Sequence, residues 1–364
     1  MISVGSTAST AVVVSNCVFA GNAQCTYATP DSYGGKGFAI YAENLASLTL
    51  DDTLFVTNGA GPGSATGWNT VGREGHFFGS AIYASASPVT ARRCQFRANR
   101  ATCYGSSGGC VWLEGACGGS VFDHCLWTGN YEAWGHGGTA SASTKAGALV
   151  VNLSSATSTV TVRHSTIAYN IAELKNSAAG ISVAKGKLLL SDSIVFGNRV
   201  LEASATLGAD LALTTADGYA DVVYTLFSTN DVSSVGAVAL DNRELGKGVV
   251  YDDPLLATGL AAALSHVNGW SGSNHNMYYK PADIAEVAAF NVHLRGGSGY
   301  VDENLNRHVG KYVGLSCRSP AMDVGDPVEK CTEPKPNGHC VNLGFYGNTP
   351  WATMSKTGGV LIVR

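Results

Sequence analysis

Apolar and polar positions along this chain recur in a phrase, not in a helical rhythm. The phrase is complete at residues 12 to 22, Val-Val-Val-Ser-Asn-Cys-Val-Phe-Ala-Gly-Asn, and its closing asparagine Asn22 returns as Asn58, Asn99, Asn130, Asn170, Asn198 and Asn230. Three residues before that asparagine the chain is always large and apolar: Phe19, Phe55, Phe96, Trp127, Ile167, Val195 and Phe227. Five before, it is small (Cys17, Thr53, Cys94, Cys125, Ser165, Ser193, Thr225), and eight before, apolar (Val14, Leu50, Ala91, Phe122, Val162, Leu190, Val222). Polar residues separate these positions with the two-residue period of a strand, so each phrase predicts a bent strand with inward-facing core positions. A second strand precedes the later copies, at 37–41, 79–83, 108–112, 146–150 and 178–182. The stretch from that strand to the asparagine is nearly constant in length, whereas the stretch after the asparagine varies. Insertions therefore collect at one corner.

Strands that repeat in one direction, joined by segments too short for crossover helices, stack in parallel only if the chain coils on itself. The predicted fold is all-β, a parallel β-helix whose asparagines form a ladder at a turn, where Asn tolerates left-handed backbone. Short helices are expected at 258–266 and 282–289, and short strands from 291 to 349.

The phrases resemble those of right-handed parallel β-helix repeat proteins, the pectate-lyase-like superfamily. Asp253-Pro-Leu-Leu256, Val292-His-Leu-Arg295, Ser319-Pro-Ala-Met-Asp-Val-Gly-Asp-Pro327, Glu333-Pro-Lys-Pro-Asn-Gly338 and Val341-Asn-Leu-Gly-Phe-Tyr-Gly-Asn-Thr349 resemble the closing module of large bacterial surface β-helix proteins. The resemblance implies a right-handed parallel β-helix over residues 1–249 and a C-terminal closing module over 250–364, continuous with the rod. It also implies a secreted or cell-surface location. Residues 1–10 lack the charged start and apolar middle of a secretory signal, so Met1 is expected not to begin the natural precursor. The superfamily holds lyases, hydrolases, adhesins and stalks, and fold alone does not settle function.

Composition narrows the field. Charged residues make up 14% of the 364, with 45 glycines and a formal net charge of −4, which suits a turn-rich extracellular β protein. Lys and Arg are scattered, which excludes a nucleic-acid footprint, and no apolar run reaches the length of a membrane span. Of the ten cysteines, Cys17, Cys94, Cys110 and Cys125 occupy core columns and read as buried free thiols. Cys25, Cys103 and Cys117 fall in loops or turns, and in the closing module Cys331 and Cys340 are the pair expected to form a disulfide. No C-x-x-C pair occurs, so no metal ligands are assigned.

Stacking converts the columns into a surface map. Seven before the asparagine stand Ser15, Asp51, Arg92, Asp123, Arg163 and Ser191; six before stand Asn16, Asp52, Arg93, His124, His164 and Asp192. Opposite charges alternate, predicting an exposed ion-pair ladder through Asp51, Arg92, Asp123 and Arg163, each pair worth about 1 kcal/mol or less. In a polysaccharide lyase or glycosidase, the alternative reading, Arg92, Asp123 and Arg163 with His136 of the Gly135-His-Gly137 triplet would be catalytic, and a lyase would add calcium. Asp302-x-Asn304-x-Asn306 mimics the start of a calcium loop but lacks its glycine and closing glutamate. The variable loops carry Tyr27, Tyr33, Trp68, His76, Tyr104, Trp134 and His136. Leaving one corner on successive coils, these rings form an expected ligand face suited to sugars, which have apolar faces and hydroxyl rims. The function expected is a non-catalytic surface protein presenting this face to a polysaccharide, surface glycan or protein partner, with no cofactor; a structural stalk or filament subunit is the third reading. Core strand residues begin almost at Met1, so upstream coils of a parent chain or another copy are expected to stack on that end.

Overall fold

The computed structural model describes residues 2–5, 10–22, 33–59, 75–103, 108–134, 145–172, 177–201, 209–228, 232–234, 247–267, 283–295, 300–301, 307–308, 319–335, 337–338 and 340–354. These residues are almost entirely β, and the strands of the large sheet pair in parallel, each with its counterpart one repeat on. Ala11–Ser15 lies on Ser47–Asp51, which lies on Val89–Arg92, then Ser120–Asp123, then Thr159–Arg163. The register matches the repeat alignment. Phe19 faces Phe55, Phe55 faces Phe96, Phe96 faces Trp127, and the column continues through Ile167 and Val195 to Phe227. This arrangement is compatible with a β-helix.

One continuous core fills the inside of the stack. Its aromatic column is face to face: Phe19–Phe55, Phe55–Phe96 and Phe96–Trp127 have ring centroids 5.0, 4.9 and 5.0 Å apart. Strand pairing sets that distance, because strands about 4.8 Å apart bring equivalent rings to stacking separation. Cys94, Cys110 and Cys125 are buried free thiols as expected, while Cys17 is only half-buried; Cys117 lies between strands beside a turn, as expected, and is fully buried there.

The asparagine ladder is inside the protein. Asn99 Nδ2 donates to the Phe55 carbonyl one repeat back and to Asn130 Oδ1 one repeat on, both at 2.9 Å, and the Asn99 N–H donates to the same Asn130 Oδ1. Asn58, Asn130, Asn170 and Asn198 repeat the pattern. Two details differ from expectation. The ladder asparagines are not left-handed; the residues before them are, as at Thr57, Ala98 and Tyr169, so that the asparagine side chain points inward to its neighbours. The described ladder ends on Asp210, which takes the Asn198 hydrogen bonds on Oδ1 and the Ser228 N–H on Oδ2. Asn230 lies outside the described residues.

Val250–Tyr251 pairs with Leu226 and Phe227 and extends the stack by one short strand, after which the described residues to 354 do not continue the repeats. Two short helices, Leu260–Ser265 and Ile284–Ala288, fall where expected; of the short strands expected from 291 to 349, Tyr300–Val301 and Arg307–His308 are present and pair antiparallel, while the described residues of 319–354 form turns and bends. This closing segment lies along the flank of the stack. A second apolar cluster joins outward residues of the repeats (Leu126, Tyr169, Ile194, Leu226) to Val287, Phe290, Met322 and Phe345. Polar contacts reinforce it: Arg97 Nη1 donates to the Ala288 and Phe290 carbonyls, and Tyr169 Oη to the Thr258 carbonyl. Cys331 and Cys340, expected to be bridged, are free, half-buried thiols. The Asp302–Asn306 stretch lies outside the described residues.

Candidate functional site

The bend of each repeat is made by the residue six before the ladder asparagine. Asn16, Asp52, Arg93, His124, His164, Asp192 and Tyr224 all have φ between 43 and 52°. A left-handed residue costs energy outside glycine and asparagine, and here it throws each side chain outward onto the same line. The line was legible as a column of mixed charge. What the sequence concealed was which part of it the closing segment covers.

Asp123 and Arg163 end paired strands, in register with one another, and His124, His164 and Asp192 follow at the bends. Three donors converge on the Asp123 carboxylate. His124 Nδ1 is 2.9 Å and His164 Nδ1 3.3 Å from Oδ1, while Arg163 Nη2 is 2.7 Å from Oδ2. Burial alone would raise the Asp123 carboxyl, but the hydrogen bonds from His124, His164 and Arg163 outweigh it and hold the group well below the usual carboxylate range. The two imidazoles stack at 4.6 Å with 17° between planes.

The closing segment supplies the other wall. His124 Nε2 donates to the Gly347 carbonyl at 3.0 Å, and His164 Nε2 meets Glu329 Oε2 at 2.8 Å. His164 is 5% exposed, and burial pushes its pKa down, yet its bonds to Asp123 and Glu329 raise it overall. Asp192, also 5% exposed, accepts the Asp326 N–H at 2.7 Å, and its carboxyl is raised chiefly by burial. Asp192, His164 and Glu329 thus meet where repeats and closing segment join.

The predicted ion-pair ladder is only partly formed. Arg163 pairs with Asp123, but Arg92 is exposed and makes no ion pair among the described residues; Arg93 instead grips Asp52 with two bonds of 2.7 Å. In that repeat the bend residue Arg93, not its predecessor Arg92, leans onto the preceding repeat. Of the alternative catalytic set, therefore, Asp123 and Arg163 are brought together, Arg92 is not, and His136 lies outside the described residues. Asp51 and Asp52 face Arg93 and leave no converging acids there for calcium.

Of the expected ligand face, Tyr33 and His76 lie on adjacent parallel strands, Tyr33–Lys36 and Gly75–Phe78, and Trp134 ends a strand opposite Cys103. Tyr27, Trp68, Tyr104 and His136 lie outside the described residues. Beside those strands runs an outward strip that the loop-based reading missed. Tyr41 and Tyr83 stack at 5.6 Å; Tyr41 Oη donates to Glu43 and Tyr83 Oη to Glu114, both at 2.6 Å; Lys36 Nζ donates to Tyr83 Oη at 3.1 Å. The hydrogen bond to Glu43 pushes the Tyr41 phenol up to about 12, and burial raises that of Tyr83. Next to these rings a polar column passes through Glu43, Ser85, Glu114, Asn152, Lys185 and Asp217 in register. It ends in an open depression of about 390 Å³ lined by Asn152, Lys185, Thr215 and Asp217. The signal for it was the aromatic repeated in the second strand, Tyr41, Tyr83 and Trp112, of which Tyr83 and Trp112 are buried in a satellite cluster and Tyr41 is half-buried at its edge.

Comparison with known proteins gives little to add. No family model matches the chain, and no solved structure matches it. Over 73 residues the chain is 34% identical to an acid phosphatase of Yarrowia lipolytica, a match covering 18% of this chain and 20% of that protein. The chain thus spans about a fifth of the length of that relative.

Proposed function

We propose that this chain is a right-handed parallel β-helix of the pectate-lyase-like kind, secreted or displayed at a cell surface, that binds a polysaccharide along its side without cleaving it. The observation carrying this reading is the in-register polar column from Glu43 to Asp217 beside the Tyr41–Tyr83 stack. Six strands at about 4.8 Å spacing give a track of about 24 Å, long enough for several sugar rings. The half-buried Tyr41 ring and the carboxylate and amide side chains of the column match the apolar face and hydroxyl rim of a pyranose, with the buried Tyr83 ring supporting Tyr41 from below. The strands carrying Tyr33 and His76 lead to this strip through Lys36, which donates to Tyr83.

The non-catalytic part rests on Asp123. A carboxylate held ionised by three donors, beneath Glu329 and Gly347, is a poor general acid and is closed to a polymer. The partial likeness to an acid phosphatase carries no argument for phosphate chemistry, since no described residues form a phosphate cradle with it. For partners, Val12, Cys17 and Phe19 are only partly buried where their counterparts Leu48, Thr53 and Phe55 are sealed; preceding coils or a second copy would complete that layer.

A glycan array run with a lyase screen on acidic polysaccharides tests the reading. Expected are binding to at least one polysaccharide class, no new ultraviolet-absorbing unsaturated ends, and weaker binding by Trp68→Ala and Trp134→Ala at an unchanged melting temperature. Unsaturated ends would move the protein to the lyases, and no binding at all would leave the stalk reading.

A further inference from the structure

Two groups of three donors share His164. In the first, Asp123, His124 and His164, all three ligand atoms lie within 4.8 Å of one another, but the geometry rejects a shared ion. Imidazole nitrogen lone pairs lie in the ring plane, and two rings stacked at 4.6 Å and 17° have planes that do not meet near their Nδ1 atoms. Asp123 is also already satisfied by Arg163.

The second group is His164, Asp192 and Glu329, again with ligand atoms within 4.8 Å. Here the chemistry is open. Asp192 is 5% exposed, yet its one short hydrogen bond is from the Asp326 N–H, and it has no ion pair among the described residues. Glu329 turns Oε1 to Asn348 Nδ2 and Oε2 to the same space as His164 Nε2. Two carboxylates so placed repel, and the Asp192 carboxyl is raised first by burial and further by Glu329. His164 is pre-set for ligation: an Nδ1–H donated to Asp123 Oδ1 fixes the ring, and loss of the Nε2 proton shared with Glu329 opens the Nε2 lone pair to an ion between Asp192 and Glu329. A carboxylate behind a histidine in this way fixes the tautomer and raises the basicity of metal-binding imidazoles.

We infer that His164 Nε2, Asp192 and Glu329 bind one divalent transition-metal ion of the zinc or manganese class, joining the closing segment to the repeats. One nitrogen and two carboxylates favour such an ion over calcium or magnesium, which prefer all-oxygen sets. Donor atoms within 4.8 Å need only small side-chain motions to reach bonds of about 2.0–2.2 Å. Binding displaces the proton on His164 Nε2 to solvent. Three protein donors leave a coordination position for water or an exogenous oxygen ligand. Asp192 and Glu329 come from segments 137 residues apart, so the ion acts as a clamp; it does not depend on the polysaccharide reading.

The test uses the full chain, stripped with a chelator and titrated calorimetrically with zinc, manganese and calcium chlorides, with melting measured in parallel. Expected are one equivalent of zinc or manganese bound at micromolar Kd or tighter, a raised melting temperature, and calcium at least tenfold weaker. Asp192→Asn and Glu329→Gln, near-isosteric changes whose folding circular dichroism checks, should each weaken zinc at least tenfold. His124→Gln should retain it, as should the Cys331→Ser/Cys340→Ser double variant, which removes the thiols most able to hold zinc elsewhere. No binding by the wild type, undiminished binding by folded Asp192→Asn, equal affinity for calcium, or loss in the cysteine variant would each overturn the inference.

Discussion

At the scale of single residues, stability rests on side chains whose hydrogen bonds are fully used. Asn130 sits sealed from solvent; its Nδ2 serves Phe96 and Asn170, and its Oδ1 serves Asn99 twice. Asn130→Ala strands two buried donors and weakens two acceptors, and at 1–3 kcal/mol for each unmet group the expected loss is about 4 kcal/mol. Chemical denaturation measures it; a loss under about 1 kcal/mol would mean the ladder is not buried as described. Glu333 is the opposite case. It is 6% exposed, Oε1 accepts the Asn342 and Asn348 N–H groups, and Oε2 has no hydrogen-bond partner among the described residues. Burial pushes its carboxyl up to about 7, against 4.5 for an ordinary glutamate. A carboxyl raised in the folded state holds a proton that the unfolded chain gives up. Its stabilising effect is therefore full below pH 4.5 and is lost as pH rises through 7, by at most about 3 kcal/mol. Glu333→Gln should flatten that part of the stability profile between pH 4.5 and 8, and identical slopes in the two proteins would contradict the burial. Thiols give a third check: Cys94, Cys110, Cys117 and Cys125 should resist iodoacetamide in the native protein, while Cys17, Cys331 and Cys340 react. Native labelling of Cys110, whose thiol burial raises, would contradict its place in the core.

At the scale of elements, the repeat strands were legible because one column demands one kind of residue: the third position before each asparagine is large and apolar, and in the structure those residues form one stacked column. The left-handed bend was not legible in the same way. Arg93, His124 and His164 carry no glycine or asparagine signal for it; packing and the adjoining ladder impose it on ordinary residues. The closing segment was harder still. Its motifs marked a distinct module, but nothing local in Glu329 or Gly347 discloses which outward histidine each meets, because those contacts span 165 and 223 residues. For the same reason the cluster around Asp123 was half-read: its charges lay in the columns, its cover did not. Phe290 tests the docking. It is 3% exposed, edge-on to Tyr169 at 5.7 Å. Phe290→Ala should cost about 3–5 kcal/mol and expose residues 247–354 to limited proteolysis before the repeats are cut. Simultaneous cutting throughout would show that segment and stack unfold as one unit.

At the scale of the whole molecule, two kinds of surface divide the stack. The flank from Arg97 to Leu226 is occupied by the closing segment, through apolar contacts and the His164–Glu329 junction. The outer face from Tyr41 to Asp217 meets none of the described residues of that segment and carries the Tyr41–Tyr83 stack beside a polar track. Asp123, the carboxylate held well below its usual range, lies under the covered flank. The proposal that this protein holds a polysaccharide without cutting it is tested most directly by native electrophoresis of the full chain through gels containing single polysaccharides, stained for protein and for polymer. The expected result is a band retarded in at least one acidic or neutral polysaccharide, with the polymer beneath it intact. A cleared zone at the band, or unchanged mobility in every gel, would contradict it.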